Sequence, residues 1–143
     1  MKKTLDFDYE EHLDFGLIGI ICAYKDFRIC FEIDKLLELN LCKQEDLELK
    51  KERKGSVSEF SIYKFKNNDN EQYILLANKG TNGHFIMELK HIDYFMLIHN
   101  LANFNSLTHI TSQLKQIAFI TSVAVLNAAD YKSSENFLTI DMD

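Results

Sequence analysis

The chain predicts a single α+β domain over residues 1–143, with a mostly antiparallel sheet of about five or more strands and two helices on one face. Three observations carry that prediction. Short runs alternate apolar and polar residues, as half-buried strands do. Two longer segments place apolar residues at helical spacing. The order is strand, helix, several meandering strands, helix, strand, with no internal repeat, low-complexity tract or linker. Length agrees, because single domains commonly run roughly 100–200 residues. With 46% of its 143 residues hydrophobic, the chain can bury a sizeable core.

The elements follow in order. Leu5, Phe7 and Tyr9 alternate with acids and predict a short N-terminal strand. Residues 15–24 come next, nearly continuous in Leu17-Ile18, Ile20-Ile21 and Cys22, and predict a strand covered on both faces. Gly16 and Gly19 lower its propensity and allow close approach of neighbours. Residues 25–40 carry two periods at once. Phe27, Ile29, Phe31 and Ile33 alternate with polar positions, the strand signal. Arg28, Glu32, Lys35 and Glu38 share one helical stripe, with Phe27, Cys30, Ile33 and Leu37 opposite, widened by Phe31 and Leu36. The charged stripe spans the whole segment and the alternation does not. The prediction is therefore a helix, with Asp26 as N-cap and Asn40 closing it in the left-handed conformation.

Residues 43–55 read as a charged surface connection with a short extended piece at 47–49. Residues 57–66 alternate, Asn67-Asn68-Asp69-Asn70 supplies turn chemistry, and residues 72–78 are apolar, which together predict a hairpin. Gly80-Thr81-Asn82-Gly83 is a further turn, leading to an extended piece at 84–87 and the main strand at 92–98. Asn105 or Ser106 caps a second helix with Leu107, Ile110, Leu114 and Ile117 on one face. Residues 119–126 form a β-branched-rich strand, and Phe137-Leu138-Thr139-Ile140 a terminal edge strand. The strand at 92–98, the second helix and the strand at 119–126 fit one βαβ unit. The leading topology is a ferredoxin-like arrangement with added strands.

Composition excludes several classes of function. A net charge of −6 repels phosphate backbones, so no nucleic acid is expected as partner. Lys50-Lys51-Glu52-Arg53-Lys54 is short, interrupted by an acid, and reads as a solvated loop. No segment is apolar for long enough to span a bilayer, and the acids Asp6, Asp8, Glu10 and Glu11 exclude a secretory signal, so no membrane partner is expected. Cys22, Cys30 and Cys42 form neither a disulfide framework nor a metal clip, which points to the reducing cytoplasm.

The stretch Ile86-Met87-Glu88-Leu89-Lys90-His91-Ile92-Asp93-Tyr94 sets two acids and a phenol against the apolar run Phe95-Met96-Leu97-Ile98. Acids beside a buried strand must be paired, hydrogen-bonded or solvated. Two readings compete. Glu88 and Asp93 in one cleft can bind a divalent metal or share a proton, with His84 and His91 as further ligands. The structural reading, which is favoured, has Asp93 accepting backbone or Lys donors at a strand start, Glu88 pairing with Lys79 or Lys90, and Tyr94 burying its ring and hydrogen-bonding at its tip. His12, His99 and His109 lack metal-ligand spacing. The cysteines read as core filler, although Cys30 sits about one turn inside the first helix. Asn78-Lys79-Gly80-Thr81-Asn82-Gly83 resembles an anion-binding turn but opens no helix, so a β-turn is expected, with Asn and Gly supplying positive φ.

The same nine residues resemble the signature of the IPExxxVDY family of small, uncharacterised bacterial proteins. Ile86, Glu88, Asp93 and Tyr94 match, Ile92 stands for Val, and Met87 departs from the Pro. Leu17-Ile18-Gly19-Ile20, Asp26-Phe27-Arg28 and Leu76-Ala77-Asn78-Lys79 extend the resemblance over most of the chain. It implies a soluble single domain of unknown role, since the family carries no established activity. The candidate ligand-binding or structural residues are therefore Glu88, Asp93, Tyr94, Asn78 and Lys79, with no catalytic residue, metal ligand or cofactor assigned. The expected function is a non-catalytic interaction module that pairs with a protein partner or with itself, a homodimer through edge-capable strands at its termini. A small-metabolite sensor is the alternative, and a metal- or carboxylate-dependent hydrolase the third reading.

Overall fold

The computed structural model describes residues 14–51, 56–101 and 105–140. In chain order the elements are β1 (Gly16–Cys22), α1 (Asp26–Leu37), β2 (Cys42–Lys43), β3 (Leu47–Lys51), β4 (Ser56–Phe60), β5 (Ile62–Lys66), β6 (Gln72–Ala77), β7 (Lys79–Gly80), β8 (Gly83–His84), β9 (Tyr94–His99), α2 (Asn105–Leu114) and β10 (Ile120–Leu126). Short 3₁₀ turns cover Met87–Leu89 and Ala128–Asp130, and a longer one Lys132–Thr139. Six strands make one antiparallel sheet in the order β10-β1-β9-β6-β5-β2, while β3-β4 and β7-β8 are separate hairpins. Since β1 pairs antiparallel with both β9 and β10, those two run parallel to each other on either side of it, joined by α2. In the same way β1 and β6 flank β9. This is the order expected of a ferredoxin-like arrangement, with β5 and β2 added at one side.

Strand periodicity divides the core into two clusters. Ile18, Ile20, Tyr94, Met96 and Ile98 face α1 and α2, meeting Ile29, Ile33, Leu107, Ile110 and Leu114. Both helices thus lie on one face, as expected. Leu17, Ile74, Leu76, Phe95 and Leu97 face the other way, against Phe60, Phe85, Ile86, Leu89, Ile92 and Phe137. Loops, 3₁₀ segments and the end of β4, and not an α-helix, cover this second face. Coverage on both sides explains why the central strand reads as an unbroken apolar run. Gly19 in β1 keeps the packing tight, because a Cβ there would lie 2.8 Å from Leu126 and 3.1 Å from Ile92.

Several expectations are corrected. Residues 137–140 are not a strand. In a 3₁₀ helix side chains three apart align, and Ser134, Phe137 and Ile140 are all buried. The Phe137 ring packs 5.5 Å from those of Phe15 and Phe85 and 5.6 Å from that of Phe95. Burying one side of a period-three stripe outweighs extended pairing here. The continuous strand expected at 57–66 divides at Ser61: its carbonyl still accepts the Ala77 N–H and extends the pairing of β5 with β6, whereas Ser56–Phe60 pairs with β3. The piece expected at 47–49 lengthens into β3, which includes Lys50 and Lys51 of the basic run.

α1 begins at Asp26 with Lys25 as N-cap and no side-chain cap bond, so Asp26 sits in the first turn instead of capping it. There its negative charge suits the helix dipole. Glu38, and not Asn40, takes the left-handed position, at φ 57°. Asp34 explains the early stop: its carbonyl accepts the Leu39 N–H and its Oδ1 the Leu41 N–H, drawing the chain off the helix axis. The apolar face is also rotated. Ile29, Cys30 and Ile33 are buried, while Phe27 and Phe31 stand 62% and 61% exposed. The strand expected at Leu5, Phe7 and Tyr9 lies outside the described residues, as do His12 and residues 52–54 of the basic run. Among the described residues no helix is long and apolar enough to cross a membrane.

Candidate functional site

Asn78 follows the last residue of β6 and is completely buried. A buried amide must satisfy both its donor and its acceptor, and here the irregular loop of residues 85–92 does so. Asn78 Nδ2 donates to the carbonyls of Leu89 and Ile92 at 2.8 and 2.9 Å, and Oδ1 accepts the Ile86 N–H at 2.8 Å. Its backbone N–H donates to the Asp93 carbonyl, and its carbonyl accepts the Phe85 N–H at 2.7 Å. One side chain therefore holds the whole loop that carries the motif-like residues.

Asp93 is half-buried at the entry to β9, and its N–H donates to the Ile20 carbonyl. Its Oδ2 accepts the Cys22 N–H at 2.7 Å, where the register of β1 with β10 shifts. The carboxylate supplies an acceptor that the disrupted ladder lacks. Tyr94 is buried, and its hydroxyl donates to the Tyr24 carbonyl at 2.7 Å, tying β9 to the chain entering α1. Nearby, the Tyr63 hydroxyl donates to Asp26 Oδ2 at 3.1 Å. Burial first, and the Asp26 carboxylate second, hold both phenols well above their ordinary range, so both remain donors.

Glu88 does not join them. It is exposed in the 3₁₀ turn and makes no ion pair with Lys79, Lys90 or any other described residue, contrary to expectation. Lys79 is exposed in β7. The structure thus brings Asn78, Asp93 and Tyr94 together as scaffold and leaves Glu88 and Lys79 at the surface. His84 is half-buried in β8 and His91 exposed. Among the described residues no group of three or more His, Cys, Asp or Glu side chains is placed to hold a metal ion.

The turn after Asn78 is a tight hairpin with Gly80 opposite Gly83. Gly83 takes positive φ at 123°, and Asn82 does not. The turn seats on β4 instead of cradling an anion. Thr81 N–H donates to the Glu59 carbonyl, Thr81 Oγ1 accepts the Glu59 N–H, and Asn82 N–H donates to Ser58 Oγ. Only glycine fits at position 80, where a Cβ would lie 2.6 Å from Phe60 and Ser58 and 2.8 Å from the Glu59 carbonyl oxygen.

The two buried thiols have no activating surroundings. Burial, reinforced by Asp34 and Asp26, pushes the Cys30 thiol up to about 12, and burial also raises that of Cys22. Cys42 is exposed. A cleft of roughly 690 Å³ lies between the β2–β3 connection and the C-terminal segment, lined by Glu45, Asp46, Glu48 and Lys64 among others. It includes none of the motif-like residues.

The open boundary of the main sheet is the feature that sequence reasoning missed. At one side the sheet ends in β2, which is only two residues long. At the other it ends in β10, seven residues with no charged side chain, and among the described residues no strand lies outside it. Thr121, Ser122, Ala124 and Val125 are all exposed, Val125 at 48%. Exposed sheet edges are ordinarily blunted by charge, shortness or cover. The legible signal was the lack of charge in 120–126, but the strand's position at the edge was not. No family model, no curated protein and no solved structure matches this chain.

Proposed function

We propose that this chain is a non-catalytic interaction module that associates through the open edge of β10, and that it belongs with the IPExxxVDY proteins which Ile86, Glu88, Asp93 and Tyr94 resemble. The observation that carries the reading is the edge itself: seven uncharged residues along whose outer side no strand pairs among the described residues. Such an edge accepts an extended strand from a partner, with main-chain hydrogen bonds giving affinity. The arrangement of Asn78, Asp93 and Tyr94 supports the same reading, since their polar atoms bond to the backbone and hold the loop of 85–93. A net charge of −6 favours a protein partner over a nucleic acid. The three free thiols support a cytoplasmic location.

Light scattering at high micromolar concentration, with affinity capture in parallel, tests the proposal. The expected result is a species heavier than one chain, or a specific partner, that is lost on Val125→Lys. A strict monomer whose captured proteins are the same for wild type and V125K counts against it.

A further inference from the structure

We infer that the occupant of the β10 edge is β10 of a second copy, paired antiparallel about a two-fold axis at Ala124. This rests on the reading above and gives it a partner and a register.

The register follows from the geometry of β10. Residues 122–126 pair regularly with Leu17–Ile21 of β1, and the shift between Ile21 and Cys22 makes Thr121 an extra, bulged residue. A bulge twists and interrupts an edge, so the part of β10 able to accept a strand is 122–126, with Ala124 at its middle. A two-fold axis there brings the most backbone into pairing. It sets Ala124 against its own copy, Val123 opposite Val125, and Ser122 opposite Leu126. Cross-strand β-branched pairs stabilise a sheet, and Val125 is the large apolar side chain of β10 left exposed. On the other face Ser122 and Ala124 are small, so two copies can approach without a clash, and no charge has to be desolvated.

The other edge explains why association stops at two. β2 offers only two residues, Cys42–Lys43, and one of them is charged. A self-complementary patch used once by each copy gives a closed dimer instead of an open chain.

Position 124 provides the test, because on the axis it meets itself. Ala124→Lys and Ala124→Glu are each made in the full chain, and mass is followed by light scattering from low to high micromolar, with circular dichroism confirming the fold. The expected result is a wild-type dimer, each variant alone a monomer, and an equimolar A124K and A124E mixture dimeric again, because only opposite charges then face each other. A dimer that survives A124K, or a mixture that stays monomeric, overturns this register while leaving an interaction module with another surface. A monomeric wild type overturns the inference outright. If its β10 amides are then protected from hydrogen exchange, another segment of this chain fills the edge and the interaction reading falls too. If they exchange freely and a captured partner is lost on V125K, the interaction reading stands with a different protein.

Discussion

Asn78→Ala removes one amide, and its cost can be worked from the bonds that amide makes. The Ile86 N–H loses the acceptor at 2.8 Å, and the Ile92 carbonyl loses the donor at 2.9 Å. The Leu89 carbonyl also loses a donor, but it keeps the Ile92 N–H at 3.0 Å. A buried polar group left without a partner costs about 1–3 kcal/mol. Two such groups, with little added by Leu89, give a loss of about 2–6 kcal/mol. That is a large share of the roughly 5–15 kcal/mol that holds a domain folded. Urea unfolding measures it: the midpoint should fall steeply with the slope unchanged. Asn78→Asp should be no better, since it keeps the acceptor for Ile86 but turns a carboxylate toward two carbonyls. A loss below about 1 kcal/mol for N78A would refute the reasoning, because it would mean that the loop finds its hydrogen bonds elsewhere.

Three further outcomes are expected. Asp93→Ala strands the Cys22 N–H and should lower stability by about 1–3 kcal/mol, whereas Glu88→Ala should stay within about 0.5 kcal/mol; equal effects in urea melts would contradict the roles given to the two acids. Gly80→Ala forces a Cβ against Phe60, Ser58 and the Glu59 carbonyl and should cost about 1–3 kcal/mol, with faster hydrogen exchange at the Glu59 amide; a neutral change would show that the hairpin can lift off β4 freely. His99 has its pKa lowered from 6.5 by burial, partly offset by Asp14, and its Nδ1 has no hydrogen-bond partner among the described residues. The unfolded chain therefore takes up that proton more readily, so stability is full above about pH 6.5 and is lost as pH falls through the folded-state value. Urea midpoints at neutral and mildly acidic pH should converge less for wild type than for His99→Gln, and parallel behaviour of the two proteins would exclude His99 as the source.

Long periodic signals were legible in the sequence and context-dependent ones were not. Leu107, Ile110, Leu114 and Ile117 repeat at helical spacing, and all four are buried against the sheet. The turn at 67–70 was equally plain: the Asn67 side chain accepts the N–H groups of Asp69 and Glu71, and Asn70 takes positive φ at 68°. The face of α1 was misread because Phe27 and Phe31 are apolar by type but exposed in place. Phe31 instead lies under the Lys35 ammonium at 5.2 Å, while the Arg28 guanidinium covers Tyr24 and Phe119. Beside Ser61 the apolar positions shift phase, from Phe60 and Ile62 to Tyr63 and Phe65, but a phase shift alone does not say that a strand changes sheet. The period-three stripe of the tail was present in Ser134, Phe137 and Ile140 but was masked by the apolar triplet Phe137-Leu138 and Ile140, which mimics a strand. At the candidate site Asp93 and Tyr94 stand out in the sequence because polar groups beside a buried strand are expensive, and each makes a hydrogen bond to backbone in the structure. Asn78 stands out in the sequence only as part of a turn and of the family resemblance, because its partners are backbone groups whose identity the sequence does not encode.

The placement of β1 has a consequence for how the protein is made. Its apolar residues lie near the start of the chain, yet both of its sheet neighbours, β9 and β10, are translated late. Until Tyr94 and the residues after it have left the ribosome, Leu17, Ile18, Ile20 and Ile21 have no strand to pair with. Contacts so distant along the chain slow folding, and a greasy segment kept waiting is prone to aggregate. Nascent chains stalled before residue 94 should therefore be captured by holding chaperones, and chains released beyond residue 126 should not.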